Sequence, residues 1–238
     1  MKLASLLILS SLLCACASNT PIEGKPIPER GDRSSANQVL KNDFDRMADV
    51  ELFENTQSLR HLMSKLYKRN PHELAKSTSD NAEKMVEWVF EGQPQHHYQF
   101  KELDNKQGIE AIFLAFDANY QGDRVLPFIV GIQTMLLKAH GNKTEFYLTD
   151  KIEPQHIYNV ARNIEIAAWK LSSARDATGK LYLISNEISD KDRNLSFERE
   201  FGKMIGRTDL YAITLAEKSQ RLISRVMQSL ATAVFLPF

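Results

Sequence analysis

Residues 125–139 read Val125-Leu-Pro-Phe-Ile-Val-Gly-Ile-Gln-Thr-Met-Leu-Leu-Lys-Ala139, an apolar run with almost no polar side. A helix that is apolar all round sits either in the middle of a protein core or in lipid. A membrane span needs about 20 consecutive apolar residues. This run is shorter and is interrupted by Pro127, Gly131 and Gln133. It therefore reads as the central helix of a folded body, ended by Gly141.

Working outward, apolar residues recur at helical steps of three, four and seven almost everywhere. Upstream, Ile109, Ile112, Phe113, Phe116 and Tyr120 predict a helix stopped by Gly122. Ala82, Met85, Val86, Val89 and Phe90 predict another, starting near Ser77 to Ser79 and ending at Gly92. Asn70-Pro71-His72-Glu73 has the cap-then-proline order of a helix start. Before it, Leu40, Phe44, Met47, Leu52, Leu59, Leu62, Met63 and Leu66 mark one long helix, or two collinear ones, from about Ala36 to Arg69. Glu51, Glu54 and Asn55 break that stripe, so a kink is expected there. The acidic first half (Asp43, Asp45, Asp49, Glu51, Glu54) and basic second half suit the helix dipole and read as a solvated face. Gly92 to Lys106 reads as a loop or short strand.

Downstream, Ile157, Val160, Ile164, Ala167, Ala168 and Leu171 predict a helix from about Pro154 to Ala174. Thr144 to Leu148 and Lys180 to Ile184 flank it with strand-like composition and could pair as one short ribbon. A helix over about Leu195 to Ile205 and a last one from Thr208 to about Val234 follow. The expected fold class is mainly α: a multi-helix, bundle-like domain over residues 36–238, with a buried central helix and room for one two-stranded ribbon.

The chain carries 30 Lys plus Arg against 30 Asp plus Glu. That balance offers no electrostatic footprint for nucleic acid, and none is expected as a partner. Ser18 to Ser35, SNTPIEGKPIPERGDRSS, is rich in proline and charge with little to bury, and reads as a semi-extended tether.

The chain opens MKLASLLILSSLLCAC: a lysine, a short apolar run, then Leu13-Cys14-Ala15-Cys16. This is the order of a secretory signal. The last four residues resemble the lipobox of bacterial lipoproteins. The resemblance implies removal of residues 1–15, lipid on Cys16, and stable membrane attachment of the 16–35 segment. Cleavage before Cys14 instead would place bulky Leu13 where a small residue is required. Position 17 is alanine rather than aspartate, which in enteric bacteria implies the periplasmic face of the outer membrane. With Cys14 removed and Cys16 alkylated, no mature thiol remains for disulfides, catalysis or metal. The runs Thr144–Asp150, Asn194–Phe201 and Leu230–Phe238 resemble an uncharacterised group of proteobacterial lipoproteins. That likeness covers most of the mature chain and implies no activity, ligand or catalytic residue.

Candidate sites are few. His96 and His97 are adjacent, and two neighbouring histidines cannot usually chelate one ion. His61, His72, His140 and His156 are scattered, no HExxH occurs, and neither a metal nor another cofactor is expected. On the helix from Pro154, the residues His156, Asn159, Arg162, Asn163 and Glu165 are helical neighbours that could form a polar ligand face or an inter-helix network. Glu198-Arg199-Glu200 between Phe197 and Phe201 reads as packing aromatics with solvated charges. GxSxG, SxxK, P-loop and GxGxxG motifs are absent. Ala233 to Phe238 has no polar cover and is expected to dock on the body, with an apolar contact for a partner as the alternative.

Anchor, tether, neutral charge and a helical body without catalytic motifs lead to one functional expectation. The chain is an outer-membrane lipoprotein, facing the periplasm, that acts as a non-enzymatic interaction or assembly module for an envelope protein. A small-molecule or lipid-binding module with a cavity beside residues 125–139 is a second reading. An envelope hydrolase using the 156–165 face is a third. Oligomeric state is left open.

Overall fold

The computed structural model describes residues 41–147, 150–188, 193–220, 223 and 234–238. The signal segment, Cys16, the tether and the predicted helix start at Ala36 lie outside the described residues. In chain order the elements are α1 (Asp43–Arg69), α2 (Pro71–Ser77), α3 (Ala82–Glu91), α4 (Gln93–His96), a 3₁₀ turn (Lys101–Leu103), α5 (Gly108–Ala115) and α6 (Val125–Ala139). Then follow α7 (Pro154–Ser173), β1 (Glu187–Ile188), β2 (Arg193–Asn194) and α8 (Ser196–Ser219). The protein is mainly α. None of the described helices is long and apolar enough to cross a membrane.

Helix α6 is the centre of the fold, packed against α1, α5 and α7. All its residues except Leu137 and Lys138 are buried. Its three interruptions each have a physical reason. Pro127 falls in the first turn, where a missing N–H costs no helical bond. The carboxylate of Asp123 accepts from the N–H groups of Val125 and Leu126, so the buried helix start is satisfied. Gly131 lets α5 approach: a Cβ there would stand 2.6 Å from the Ile112 side chain and 2.7 Å from the Gly108 carbonyl oxygen. Gln133 reaches α1, donating to the Thr56 hydroxyl at 3.1 Å.

Helix α1 is continuous through the expected kink, and of its acidic half only Asp43 and Glu54 are exposed, while Asp45, Asp49 and Glu51 are buried. Asp45 closes a capping box with Asn42. Asp49 is buried, pairs with Lys41 Nζ at 2.6 Å and accepts the Phe146 N–H at 3.0 Å. Glu51 and Asn55, four apart, turn inward together. The predicted helix after Gly108 stops at Ala115 rather than near Tyr120. The Arg124 guanidinium draws the carbonyls of Ala115, Asp117 and Tyr120 to itself, and the chain turns around it. Gly92 to Lys106 holds α4 and the 3₁₀ turn in place of a strand.

The ribbon lies elsewhere than expected, with Glu187 and Ile188 antiparallel to Asn194 and Arg193. Among the described residues of 144–147 there is no strand, because side chains take the backbone bonds a partner strand would make. Asp49 takes the N–H of Phe146, and Asp150 that of Tyr147. In the second run Leu181 makes one bridge with Arg175. There the Asn70 side chain accepts from Ile184 N–H at 2.8 Å and donates to Ile184 C=O at 2.9 Å. The two helices expected at the end are one, α8, running through Gly206 and ending at Gln220 in the left-handed region, φ 53°. Tertiary bonds hold it across the expected break: Arg207 donates to Ser58, and Thr208 to Glu51. Residues 224–233, in the predicted extension to Val234, lie outside the described residues.

Candidate functional site

The predicted face on α7 is brought together in part. His156 is exposed and stands apart from the rest. Arg162 forks between Glu165 at 3.0 Å on its own helix and Asp209 at 2.5 Å on α8. Burial raises both carboxyls above the usual carboxylate range against the pull of Arg162, so the fork offsets a desolvation cost where two helices meet. Asn159 and Asn163 are buried and aim at the chain's own last residues. Asn163 donates to Leu236 C=O at 2.8 Å and accepts Leu236 N–H at 2.7 Å, while Asn159 donates to Pro237 C=O at 2.7 Å. The face is an inter-helix and tail-holding network.

A second polar cluster, unseen in the sequence, lies where α1, α6 and α8 meet. Glu51 Oε1 accepts from the Asn55 amide and the Thr208 hydroxyl, both at 2.6 Å. Its other oxygen is 3.0 Å from His140 Nε2. The imidazole donates through Nδ1 to Leu136 C=O at 2.9 Å and stacks on Tyr211, with ring planes 7° apart. Glu51, Asn55, His140 and Thr208 are each at most 4% exposed. Burial raises the Tyr211 hydroxyl well above its usual range. With these groups sealed from solvent, the cluster can brace three helices but cannot meet a substrate. Its signal in the sequence was the inward pair Glu51 and Asn55 inside an apolar stripe.

The third cluster borders open space. Asp123 accepts from Tyr67 Oη at 2.5 Å and Ser77 Oγ at 2.9 Å, besides capping α6. Glu73, 2% exposed, receives Lys76 Nζ at 2.8 Å and the Arg124 N–H at 2.7 Å. The Arg124 guanidinium lies 4.4 Å from the Tyr182 ring centroid. A cleft of about 530 Å³ lies beside Glu73, Lys76, Arg124, Asp176, Lys180 and Tyr182. A smaller one of about 240 Å³, lined by Trp88, Tyr120 and Asp123, shares Lys76 with it. Charges of both signs face these clefts, and the buried carboxylates are already bonded. The Asp before the apolar run was a readable cap signal; Glu73 and Arg124 carried none.

Burial raises the Asp123 carboxyl, outweighing the hydrogen bonds from Tyr67, Ser77 and Val125 that favour its charged form. The native state therefore holds this proton more tightly than the unfolded chain, whose aspartates titrate near about 3.9. Stability contributed by this group is full below that value and is lost as pH rises through the higher folded value. Urea midpoints followed from about pH 3 to about pH 7 should show that loss in the parent chain and not in Asp123→Asn. Identical pH slopes would contradict it.

His96 lies among aromatic rings, 4.5 Å from Phe100 and 5.6 Å from Trp88 between centroids. Glu200 is buried and bonded to Lys203 at 3.0 Å, a correction to its reading as a solvated charge, while Phe197 and Phe201 pack in the core. Among the described residues no group of three or more His, Cys, Asp or Glu is placed to hold a metal ion. No family model, curated protein or solved structure matches this chain.

Proposed function

We propose that the chain is a lipid-anchored, non-enzymatic interaction module of the bacterial envelope, attached through Cys16 at the periplasmic face of the outer membrane. The observation that carries this reading is a strip on α8 and its cap residue Leu195 that the described residues leave exposed. Leu195, Leu210 and Ile213 are 50%, 59% and 43% exposed. An added Cβ at Gly202 or Gly206 would meet nothing within 4 Å. Residues three, four and seven apart share one side of a helix, so these five positions form a single strip. Apolar side chains beside backbone that can be closely approached suit a helix or strap of an envelope protein. Arg199 and Glu217 on the same side are exposed and can fix its orientation.

The other two readings have less support. Phe128 and Leu136 are fully buried, which leaves a lipid cavity beside α6 without its walls. Arg162 and Glu165, the groups a hydrolase would use, are engaged with Asp209 and with each other.

Leu210→Glu combined with Ile213→Glu should abolish recovery of the cross-linked partner complex, reducing it at least about tenfold. Both sites are exposed, so the melting temperature should move by no more than about 2 °C. A complex that survives both substitutions would remove α8 as the docking face.

A further inference from the structure

The smaller cleft, of about 240 Å³, has two aromatic walls, Trp88 and Tyr120. Trp88 is 48% exposed, yet its indole is held in a cluster with Phe100 at 5.0 Å and His96 at 5.6 Å between centroids. Tyr120 is folded back over its own turn: a Cβ at Gly122 would stand 2.5 Å from the phenol Cζ and 2.9 Å from Cε2. The missing side chain at 122 is what lets the ring lie there. Buried Met85 and Leu126 complete the apolar lining.

The charges beside these walls are of a particular kind. Asp123 is 4% exposed, and its oxygens are taken by four donors: Tyr67 and Ser77 on Oδ2, and the N–H groups of Val125 and Leu126 on Oδ1. Four donors fill the acceptor positions of a carboxylate. Asp123 therefore brings negative charge to the cleft without a lone pair to offer. Glu102, exposed on the 3₁₀ turn, adds a second carboxylate to the lining. Lys76, the cation of the lining, is ion-paired with Glu73 at 2.8 Å and donates to the Gly122 carbonyl at 3.2 Å.

We propose that this cleft binds the quaternary ammonium group of a small organic cation, with Trp88 and Tyr120 as its aromatic walls and Asp123 and Glu102 as its counter-charge. An ammonium carrying N–H groups would give up its water bonds beside a saturated Asp123 without replacing them, which is unfavourable. A methylated ammonium has no N–H to satisfy. It is attracted to the faces of Trp and Tyr and needs only negative charge nearby.

The test uses the full chain carrying Trp169→Phe, which leaves Trp88 as its only tryptophan. Choline should change the Trp88 fluorescence in a saturable way. Ethanolamine, which has N–H groups in place of the methyls, and the neutral carbon isostere of choline should each bind at least about fivefold more weakly. Gly122→Ala displaces the Tyr120 ring without removing an aromatic group, and should weaken choline binding by about three- to tenfold. Glu102→Gln, at an exposed position, should weaken it by about two- to threefold, with the difference fading at high salt. Vesicles of phosphatidylcholine and of phosphatidylglycerol identify the source of the cation. A Trp88 response to phosphatidylcholine alone assigns a lipid headgroup; a response to choline and to neither vesicle assigns a soluble molecule. Equal binding of choline and either analogue, or no saturable Trp88 response in the folded chain, overturns the proposal.

Discussion

Glu51→Ala should destabilise the fold by about 3–5 kcal/mol, the combined cost of a buried void and of buried polar groups that lose their acceptor. For a chain of this size that lowers the melting temperature by about 6–20 °C. The reason is local. Glu51 receives the Asn55 amide and the Thr208 hydroxyl and faces His140 Nε2 at 3.0 Å. Nδ1 of that imidazole already donates to Leu136 C=O, so the Glu51 contact is what its other nitrogen has. Alanine removes the carboxylate that accepts from the buried Thr208 hydroxyl and Asn55 amide, and opens a void among α1, α6 and α8. Replacing Glu51 and His140 together by leucine should cost much less than the two single changes added, because the shared desolvation disappears with the pair. Thermal melts of the two singles and the double measure this. Additive losses would mean that Glu51 and His140 act independently.

Arg124→Met should come next, with a loss of about 3–5 kcal/mol. One guanidinium serves three backbone carbonyls at once, donating to those of Ala115, Asp117 and Tyr120 at 2.8, 2.9 and 2.6 Å. Each buried carbonyl left without a donor costs about 1–3 kcal/mol, reduced where water can enter. Methionine keeps much of the apolar stem, so the measured loss reports the hydrogen bonds. Arg124→Lys should recover only part of it, because an ammonium cannot match the planar fork. Hydrogen exchange should accelerate across residues 115–123 in Arg124→Met while α7 stays protected. Uniform acceleration over the whole chain would instead place Arg124 in the global core.

The way the sequence was legible follows from these same residues. Residues 125–139 were readable because an element buried on every side has to be apolar on every side, and that constraint is written locally. Helix α3 was readable from its stripe and from Gly92. The ribbon was misplaced because composition favours strands at 144–148 and 180–184, whereas Asp49 and Asn70 take the backbone bonds there. Side chains far away in sequence decided the outcome. The sequence reading divides the single helix α8 between Ile205 and Thr208 for a similar reason: Glu51 and Ser58, which hold it across that point, lie far away in sequence.

The candidate site followed the same rule. Asn159, Arg162, Asn163 and Glu165 were found as helical neighbours, since spacing alone places them together. Their partners, Leu236, Pro237 and Asp209, belong to other segments, and no periodicity announces them. Glu51 and His140 sit in different helices, and only the fold makes them a pair.

The reading as an interaction module rests on the strip of α8 that nothing in the described body covers. A photo-cross-linking residue at Ile213, introduced into the full chain in intact cells, addresses that strip directly, with exposed Glu110 on α5 as the control position. The account predicts one discrete adduct at Ile213, identified by mass spectrometry as an envelope protein and absent at Glu110. Free chain alone at Ile213, or the same adducts at both positions, would contradict it.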